Sequence, residues 1–251
     1  MSDTHLGFAP ADVERDVVAF FRHVARQGGS LVVNGDLFEF WFEWASVIPR
    51  HGFRALAALA DVVDAGVPVL MIAGNHDCWG GDVLRNDVGV DYRFGPWVGD
   101  VGGWRTLLEH GDGLRPHEDK RYRLIRPVLR SPLAIRSFRR LHPDFATRVA
   151  TGSSQASRSY SAKDEGRGLR DAAIRAERAD PALELLVFGH SHFATVERLP
   201  GGAAYGNAGS WLDAPTFLLV TTERVALRRW EGSTESADLH ALDRSAKEPL
   251  P

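Results

Sequence analysis

The sequence predicts a layered α/β protein in which buried strands alternate with amphipathic helices. Residues 67–73 form an apolar run rich in β-branched side chains between Gly66 and Gly74, which is typical of a strand covered on both faces. The chain has 251 residues, of which 44% are hydrophobic and 25% are charged, so it is long enough to bury a large core. We expect one domain that carries an insertion, or two small domains.

Hydrophobic periodicity gives the other elements in order. A first helix, capped by Asp12, ends at Gly28-Gly29, and its apolar stripe consists of Val13, Val17, Phe20, Phe21 and Val24. A second amphipathic helix covers residues 53–63, just before the central strand. Further strands are expected at residues 31–36, 104–109, 185–188, 203–210, 216–220 and 225–229. From Glu231 to residue 251 the chain is polar and aperiodic, and we expect a disordered tail.

Polar side chains follow the ends of these strands repeatedly. Ligand sites in layered α/β folds lie at such strand ends, where side chains from neighbouring loops converge. Five of the ten histidines fall there, and the full set is Asp3, His5, Asp36, Asn75, His76, His110, His190 and His192. Asp3 and His5, two residues apart, share one side of extended backbone, yet only Met1 and Ser2 precede them. We therefore expect that the strand which normally leads into such a pair is missing from this sequence.

These residue types indicate a metal site. Imidazole, carboxylate and amide ligands suit Mn²⁺, Fe or Zn²⁺, and the lack of thiolates argues against a structural zinc site. Seven ligand groups exceed what one ion binds, so we expect two divalent ions, with Asp36 as the bridge. A water shared by two such ions becomes hydroxide near neutral pH and can attack phosphorus. His76 would then donate to the leaving oxygen, with Asp77 placed to orient it.

Five motifs together resemble the calcineurin-like metallophosphoesterase superfamily. They are Asp-x-His at residue 3, Gly-Asp at 35, Gly-Asn-His-Asp at 74, His-Gly-Asp at 110 and Gly-His-Ser-His at 189. The resemblance implies a β-sandwich flanked by helices, with His76 and Asn75 as catalytic residues. It also implies two metal ligand sets that share Asp36: Asp3, His5, Asp36 and His192 for one ion, and Asp36, Asn75, His110 and His190 for the other. Mn²⁺ is the expected metal, with Fe or Zn²⁺ as alternatives.

The segment between His110 and His190 is basic and predicts a helical cap over residues 113–180, inserted into a core of residues 1–112 and 181–230. It contains sixteen Arg and Lys against eight Asp and Glu, whereas the rest of the chain is acidic. After Pro132, a helix would carry Leu133, Ile135, Phe138 and Leu141 on one face and Arg136, Arg139 and Arg140 on the other. This pattern suits either an ordinary surface helix or a cap that lies on an anionic membrane and covers an acyl-bearing substrate. We find no motif for nucleic-acid binding and expect no such partner.

A narrower resemblance concerns substrate. Gly-Asp-Leu-Phe-Glu-Phe-Trp at residues 35–41, together with His-Gly-Asp and a cap of this size, is similar to the UDP-2,3-diacylglucosamine diphosphatases of lipid A synthesis. That branch cleaves a pyrophosphate to UMP and 2,3-diacylglucosamine 1-phosphate. The resemblance implies Asp119, Tyr122 and Lys163 as substrate contacts. Two alternatives stay open: a soluble phosphoesterase for another phosphodiester, nucleotide or phosphoprotein, and an inert scaffold of the same fold.

Two further features bound location and packing. The single cysteine, Cys78, excludes an internal disulfide and suits a reducing compartment, and no signal peptide or apolar run of about 20 residues is present. We therefore expect a cytoplasmic protein, with any membrane contact peripheral and on the inner face of the cytoplasmic membrane. Residues 37–44 hold five aromatic side chains, which suit a core, an interface or an apolar wall of the site.

Overall fold

Two packed sheets with helices outside them form the core of the computed structural model, which describes residues 1–158 and 164–244. The first sheet is parallel, and its order is β1 (Leu31–Asn34), β2 (Val69–Ile72) and β3 (Asp91–Arg93). Helices α1 (Ala11–Gln27) and α2 (Phe53–Asp64) cover its outer face with apolar side chains such as Phe21 and Leu59. A short π-helical turn, Val83–Asp87, leads into β3.

The second sheet is mixed and has five strands in the order β4, β5, β6, β8, β7. Their bounds are Trp97–Val101, Trp104–Leu108, Leu185–Phe188, Ala204–Asn207 and Thr195–Arg198 respectively. An antiparallel group adjoins them and consists of β9 (Thr216–Val220), β10 (Arg224–Arg229) and β11 (His240–Asp243). Side chains from both sheets meet in one interior cluster that includes Ile72, Leu108, Leu185 and Val225. The predicted β-sandwich flanked by helices is confirmed.

The start of the chain lies alongside β1, although no strand is assigned there among the described residues. Met1 donates its terminal N–H to the Val32 carbonyl at 3.0 Å, and the Asn34 N–H donates to the Met1 carbonyl at 2.8 Å. This pairing carries Asp3 and His5 to the end of β1. Helix α1 then begins at Ala11 after Pro10, so Asp12 lies inside its first turn and the prediction of Asp12 as the cap is wrong. Proline fits this position because it has no N–H to satisfy.

The end of the described chain is ordered, so the prediction of a disordered tail from Glu231 is wrong for residues 231–244. Strand β11 pairs antiparallel with β10, with His240 opposite Leu227. Side chains of β11 are largely exposed, which explains why the segment lacks a hydrophobic period. Residues 245–251 lie outside the described part.

Four helices lie in the described part of the insertion, but only the first three build the cap. They are α3 (Lys120–Leu129), α4 (Pro132–Phe138) and α5 (Pro143–Arg158). The fourth, α6 (Arg167–Ala179), buries Leu169 and Ala173 against the second sheet and therefore belongs to the core rather than to the predicted cap of residues 113–180. The single apolar face predicted around α4 is also divided, because Leu133 is 71% exposed and Leu141 lies beyond the helix.

The aromatic run of residues 37–44 serves both as core and as a docking surface for the cap. Phe38 and Trp41 stack with ring centroids 4.4 Å apart and are buried in the core. Phe42 and Trp79 instead contact the cap residue Phe138, with ring centroids 5.0 and 4.8 Å away. The Trp79 indole N–H also donates to the Leu129 carbonyl at the end of α3. These contacts fasten the cap helices beside the strand ends.

Candidate active site

The predicted ligands converge at one edge of the two sheets. Asp36, Asn75, His110 and His190 follow β1, β2, β5 and β6, and the paired start of the chain adds Asp3 and His5. Ligand atoms come within 4.8 Å of one another in three groups: Asp3, His5 and His192; Asp36, His110 and His190; and His5, Glu39 and His76. The first group contains three residues of one predicted ligand set and the second contains three residues of the other, with Asp36 in the second group only.

Glycines let these loops pass close to one another. A Cβ on Gly35 would lie 2.3 Å from His110 Nδ1, and one on Gly74 would lie 2.1 Å from Asp36 Oδ1. Both distances are far below any contact that a real Cβ makes, so only glycine fits. The Gly-Asp and Gly-Asn-His-Asp motifs thus owe their glycines to packing around Asp36 and His110.

Five of the ligands have an unusual backbone. Asp3, His5, Asp36, His190 and His192 have φ between 48° and 61°, in the left-handed region. Residues other than glycine rarely adopt this conformation, which costs about 1–2 kcal/mol each and clusters at functional sites. The backbone turns sharply at each ligand and aims its side chain at the common centre.

Asp36 lies at that centre. Its Oδ2 is 3.2 Å from His110 Nε2, 3.9 Å from His76 Nε2 and 4.0 Å from His5 Nε2. Burial alone would raise the pKa of Asp36, but the neighbouring imidazoles outweigh it and hold the pKa well below its usual value. A carboxylate that stays ionised amid imidazoles from both groups is placed to bridge two cations.

The donor set fits divalent metal ions. In the described part of the chain, Asn75 Oδ1 and His110 Nε2 are buried atoms without a hydrogen bond. Buried polar atoms are normally satisfied, so such atoms at a convergence of carboxylates and imidazoles indicate a cation. His110 donates from Nδ1 to the Asn34 carbonyl at 2.9 Å, which leaves Nε2 facing Asp36. Nitrogen and oxygen ligands of this kind suit Mn²⁺, Fe and Zn²⁺ alike.

The second ligand group surrounds Asp3. Asp3 Oδ1 lies 3.4 Å from His192 Nε2, and His5 Nε2 lies 3.3 Å from the same nitrogen. Burial would raise the pKa of Asp3, but the hydrogen bond from His192 and the charge of His110 lower it to about 2. Burial lowers the pKa of His5, so its imidazole is neutral and has a lone pair for a metal.

His76 faces the centre, but Asp77 does not orient it. His76 Nδ1 donates to the main-chain carbonyl of Glu39 at 2.8 Å, and the main-chain N–H of His76 donates to Asp36 Oδ1. The Asp77 carboxylate instead accepts the backbone N–H groups of Leu37 and Gly74, both at 2.8 Å. Asp77 therefore ties together the two loops that carry Asp36 and Asn75, and the predicted Asp77–His76 pair is wrong.

Of the predicted substrate contacts, Asp119 and Tyr122 lie beside the site. Asp119 Oδ1 is 3.3 Å from His190 Nε2 and 2.8 Å from an Arg115 guanidinium nitrogen, and Arg115 also lies 3.6 Å from Asp164. The Tyr122 hydroxyl donates to Asp112 Oδ2 at 2.6 Å. Lys163 lies outside the described residues.

Sequence reasoning missed two buried charged residues here, Glu39 and Arg115. Glu39 is 5% exposed, and its carboxylate lies 3.2 Å from His5 Nδ1. Arg115 is 2% exposed. It precedes the cap helices and contacts Asp164, which follows them, so this contact joins the two ends of the cap. A signal was available for Glu39, because an ionisable residue inside an aromatic run is rarely buried without a partner.

Comparison with known proteins finds similarity over most of the chain. The sequence model of the family described as Calcineurin-like phosphoesterase matches residues 1–194. A UDP-2,3-diacylglucosamine hydrolase from Porphyromonas gingivalis is 26% identical over 254 residues, which cover 93% of each chain. One from Xanthomonas axonopodis is 30% identical over 91% of this chain and 97% of that protein. Among solved structures, a Vps29 double mutant from Entamoeba histolytica aligns at 13% identity with a TM-score of 0.49, over 97% of this chain and 96% of that chain. The chain belongs to the calcineurin-like phosphoesterase family.

Proposed function

We propose that this protein hydrolyses the pyrophosphate of UDP-2,3-diacylglucosamine to UMP and 2,3-diacylglucosamine 1-phosphate. The observation that carries the proposal is the extent of its likeness to hydrolases of that name. The similarity spans more than 90% of the chain, so it takes in the cap and also the strands after residue 194, where the family model ends. The cap is the part that would distinguish a lipid-linked nucleotide from other phosphoesters.

The residues divide into ligands and a donor. Asp36 would hold both ions, with Asp3, His5 and His192 on one side and Asn75, His110 and His190 on the other. When bound, two divalent ions supply Lewis acidity and lower the pKa of an attacking water. We take Mn²⁺ as the first metal to test, with Fe and Zn²⁺ as alternatives.

His76 is the proposed donor to the leaving group. Its Nδ1 proton is committed to the Glu39 carbonyl, so Nε2, 3.9 Å from Asp36 Oδ2, faces the reacting centre. Hydrolysis adds one water across the P–O–P bond, and the leaving group is a phosphate monoester, which is a weak base. His76 can donate from Nε2 while Nδ1 donates to Glu39 only when both ring nitrogens carry a proton. In that doubly protonated form, a hydrogen bond from Nε2 to the leaving oxygen stabilises the developing charge.

Asp119, Tyr122 and Lys163 remain the proposed substrate contacts. Asp119 lies beside the predicted ligand His190, and Tyr122 lies beside Asp112, so we place the sugar phosphate next to them. Their polar groups can exchange present partners for substrate hydroxyls, because carboxylate and phenol groups both accept hydrogen bonds.

The cap also supports a peripheral position on the inner face of the cytoplasmic membrane. It exposes large apolar side chains beside many arginines: Leu124 at 75%, Val128 at 62%, Phe145 at 57%, Ile125 at 52% and Val149 at 51%. Such a surface binds anionic lipid through apolar burial and charge attraction. No helix in residues 1–158 and 164–244 is both long and apolar enough to cross a bilayer.

Vesicle co-sedimentation tests the membrane proposal. We expect Leu124→Glu with Val128→Glu to abolish binding to phosphatidylglycerol vesicles, because both side chains lie on one face of α3. Val98→Glu is the matched control, since Val98 is 45% exposed on β4, away from the cap. Equal binding by both variants would contradict the membrane proposal.

Product analysis tests the reaction itself. Purified protein with Mn²⁺ is given UDP-2,3-diacylglucosamine or bis-p-nitrophenyl phosphate, and release of UMP or nitrophenolate is followed. We expect UMP release far faster than cleavage of the generic ester. Cleavage of the generic ester alone would keep the phosphoesterase chemistry and exclude the lipid substrate. No cleavage of either by metal-loaded protein would favour an inert scaffold.

A further inference from the structure

We propose that Glu39 is a positioning residue for the metal ligand His5. The inference rests on the proposed function, since it takes His5 as a ligand of the dinuclear site. Glu39 follows Asp36 by three residues and is buried. Its Oε2 lies 3.2 Å from His5 Nδ1, and its main-chain carbonyl accepts the hydrogen bond from His76 Nδ1. Glu39 therefore contacts the Nδ1 atom of both imidazoles.

The arrangement at His5 decides which ring nitrogen can bind a metal. A neutral imidazole has one proton, so a partner that accepts from Nδ1 leaves the lone pair on Nε2. His5 Nε2 lies on the metal side, 3.3 Å from His192 Nε2 and 4.0 Å from Asp36 Oδ2. Histidine ligands commonly donate their other N–H to a carboxylate, which fixes the ring and strengthens the ligand. Glu39 is placed to supply that carboxylate.

The main chain keeps this contact rigid. The Glu39 N–H donates to the Leu6 carbonyl at 3.0 Å, and the Leu6 N–H donates to the Leu37 carbonyl at 2.9 Å. The segment that carries Glu39 is therefore paired with the residue that follows His5. These two hydrogen bonds hold the backbones at Glu39 and His5 side by side, which brings the carboxylate and the imidazole within reach of each other.

The same geometry makes the side chain separable from the main chain in an experiment. His76 is held by the carbonyl of Glu39, which every substitution of residue 39 retains. The carboxylate lies 3.2 Å from His5 Nδ1 and 3.8 Å from His76 Nδ1, so its loss should act mainly on His5 and leave the main-chain contact to His76 in place. Ligand atoms of Glu39, His5 and His76 also approach within 4.8 Å, so a direct role of Glu39 as a ligand is the rival reading.

Metal titration of Glu39→Gln and Glu39→Ala in the whole chain tests the proposal. Mn²⁺ affinity and stoichiometry are measured by calorimetry, with the isosteric glutamine as the matched variant. We expect Glu39→Ala to bind the same number of ions with about 10–100-fold weaker affinity for one of them. Glu39→Gln should lose less, because its amide oxygen can accept a hydrogen bond from Nδ1. Loss of a bound ion would instead make Glu39 a ligand and overturn the positioning role.

The tautomer of His5 gives a readout that needs no metal. In nitrogen-15 spectra of metal-free protein, His5 is assigned by comparison with His5→Gln. We expect the Nδ1–H form in the wild type and a shift towards Nε2–H in Glu39→Ala. An unchanged tautomer, or an affinity change below about threefold, would overturn the proposal. If wild-type protein releases no UMP, the proposed function fails while the tautomer comparison still decides the role of Glu39. If Glu39→Ala does not fold, Glu39→Leu, which fills similar space without a hydrogen-bond acceptor, carries the same comparison.

Discussion

Replacement of Arg115 by methionine should destabilise the protein strongly. Arg115 is 2% exposed, and it contacts Asp119 at 2.8 and 3.2 Å and Asp164 at 3.6 Å. Removing one member of a buried ion pair costs about 3–5 kcal/mol, because a carboxylate is left without its counterion. Asp119 would keep the Gly113 N–H at 3.0 Å and His190 at 3.3 Å, which favours the lower end of that range.

The expected loss is therefore about 3 kcal/mol, or a Tm lower by about 6–12 °C in a chain of this size. Urea unfolding followed by circular dichroism measures the free energy of unfolding. The matched control is Arg105→Met, because Arg105 pairs with Asp180 at the same 2.8 Å, but with both side chains more than a third exposed. That exposed pair should contribute about 0–1 kcal/mol. Equal losses in the two variants would refute the reasoning.

The pH dependence gives a second check on Arg115. Burial raises the pKa of Asp119, but His190 and Arg115 outweigh it and hold the pKa below its usual 3.8. A depressed folded pKa contributes stability above the unfolded pKa, and this contribution is lost as the pH falls through the folded value. Without Arg115, the folded pKa of Asp119 rises towards its usual value, while His190 still lowers it. The difference in unfolding free energy between variant and wild type should therefore stay constant from pH 7 to about 4 and narrow below about pH 4, where Asp119 is protonated in the folded variant before it is in the wild type. If the difference in unfolding free energy widens as the pH falls, Asp119 is not the group that Arg115→Met leaves unpaired.

Four further predictions address the site. Asp36→Asn should lose bound metal and lower the rate of hydrolysis by more than about 10²-fold, because even residues that only hydrogen-bond to a metal ligand cost up to about 10²-fold when they are replaced. Metal analysis and UMP release measure the two effects. His76→Ala should retain metal and lower kcat by about 10²–10⁴-fold; loss of metal would make it a ligand. Gly74→Ala should lower the free energy of unfolding by about 1–3 kcal/mol, because the new Cβ would lie 2.6 Å from the main-chain nitrogen of Asp36. Gly152→Ala is its control and should not destabilise the protein, because its Cβ would have no atom within 4 Å. Burial raises the pKa of Cys78 from 9.0 to about 12, so Ellman's reagent at pH 8 should react only after unfolding; rapid labelling of folded protein would contradict the burial.

The ligands could be predicted from the sequence because their signal is local. Asp36, Asn75, His110 and His190 each lie within three residues of the end of an apolar strand, and the edge of a sheet then brings them together. The fold could be predicted for the same reason, since the strand and helix periods are carried by neighbouring residues.

The supporting contacts could not be predicted, because their partners are distant in sequence. Asp77 is adjacent to His76, yet its carboxylate accepts from Leu37, forty residues away. Asp119 meets His190 only after the cap has folded back on the core. Strand β11 pairs with β10 through backbone hydrogen bonds, and its side chains are largely exposed. Its sequence therefore shows no alternation of apolar and polar residues from which a strand could be predicted.

The left-handed backbone at Asp3, His5, Asp36, His190 and His192 bears on any attempt to transplant this site into another protein. A recipient that offered the same side chains from ordinary helices or strands would aim them away from one another. Five positions would have to hold φ near 55°, a conformation that histidine adopts at a cost of about 1–2 kcal/mol. A designer would therefore have to copy the loops together with the strands that anchor them. The ligand set of this enzyme is a property of its backbone as much as of its side chains.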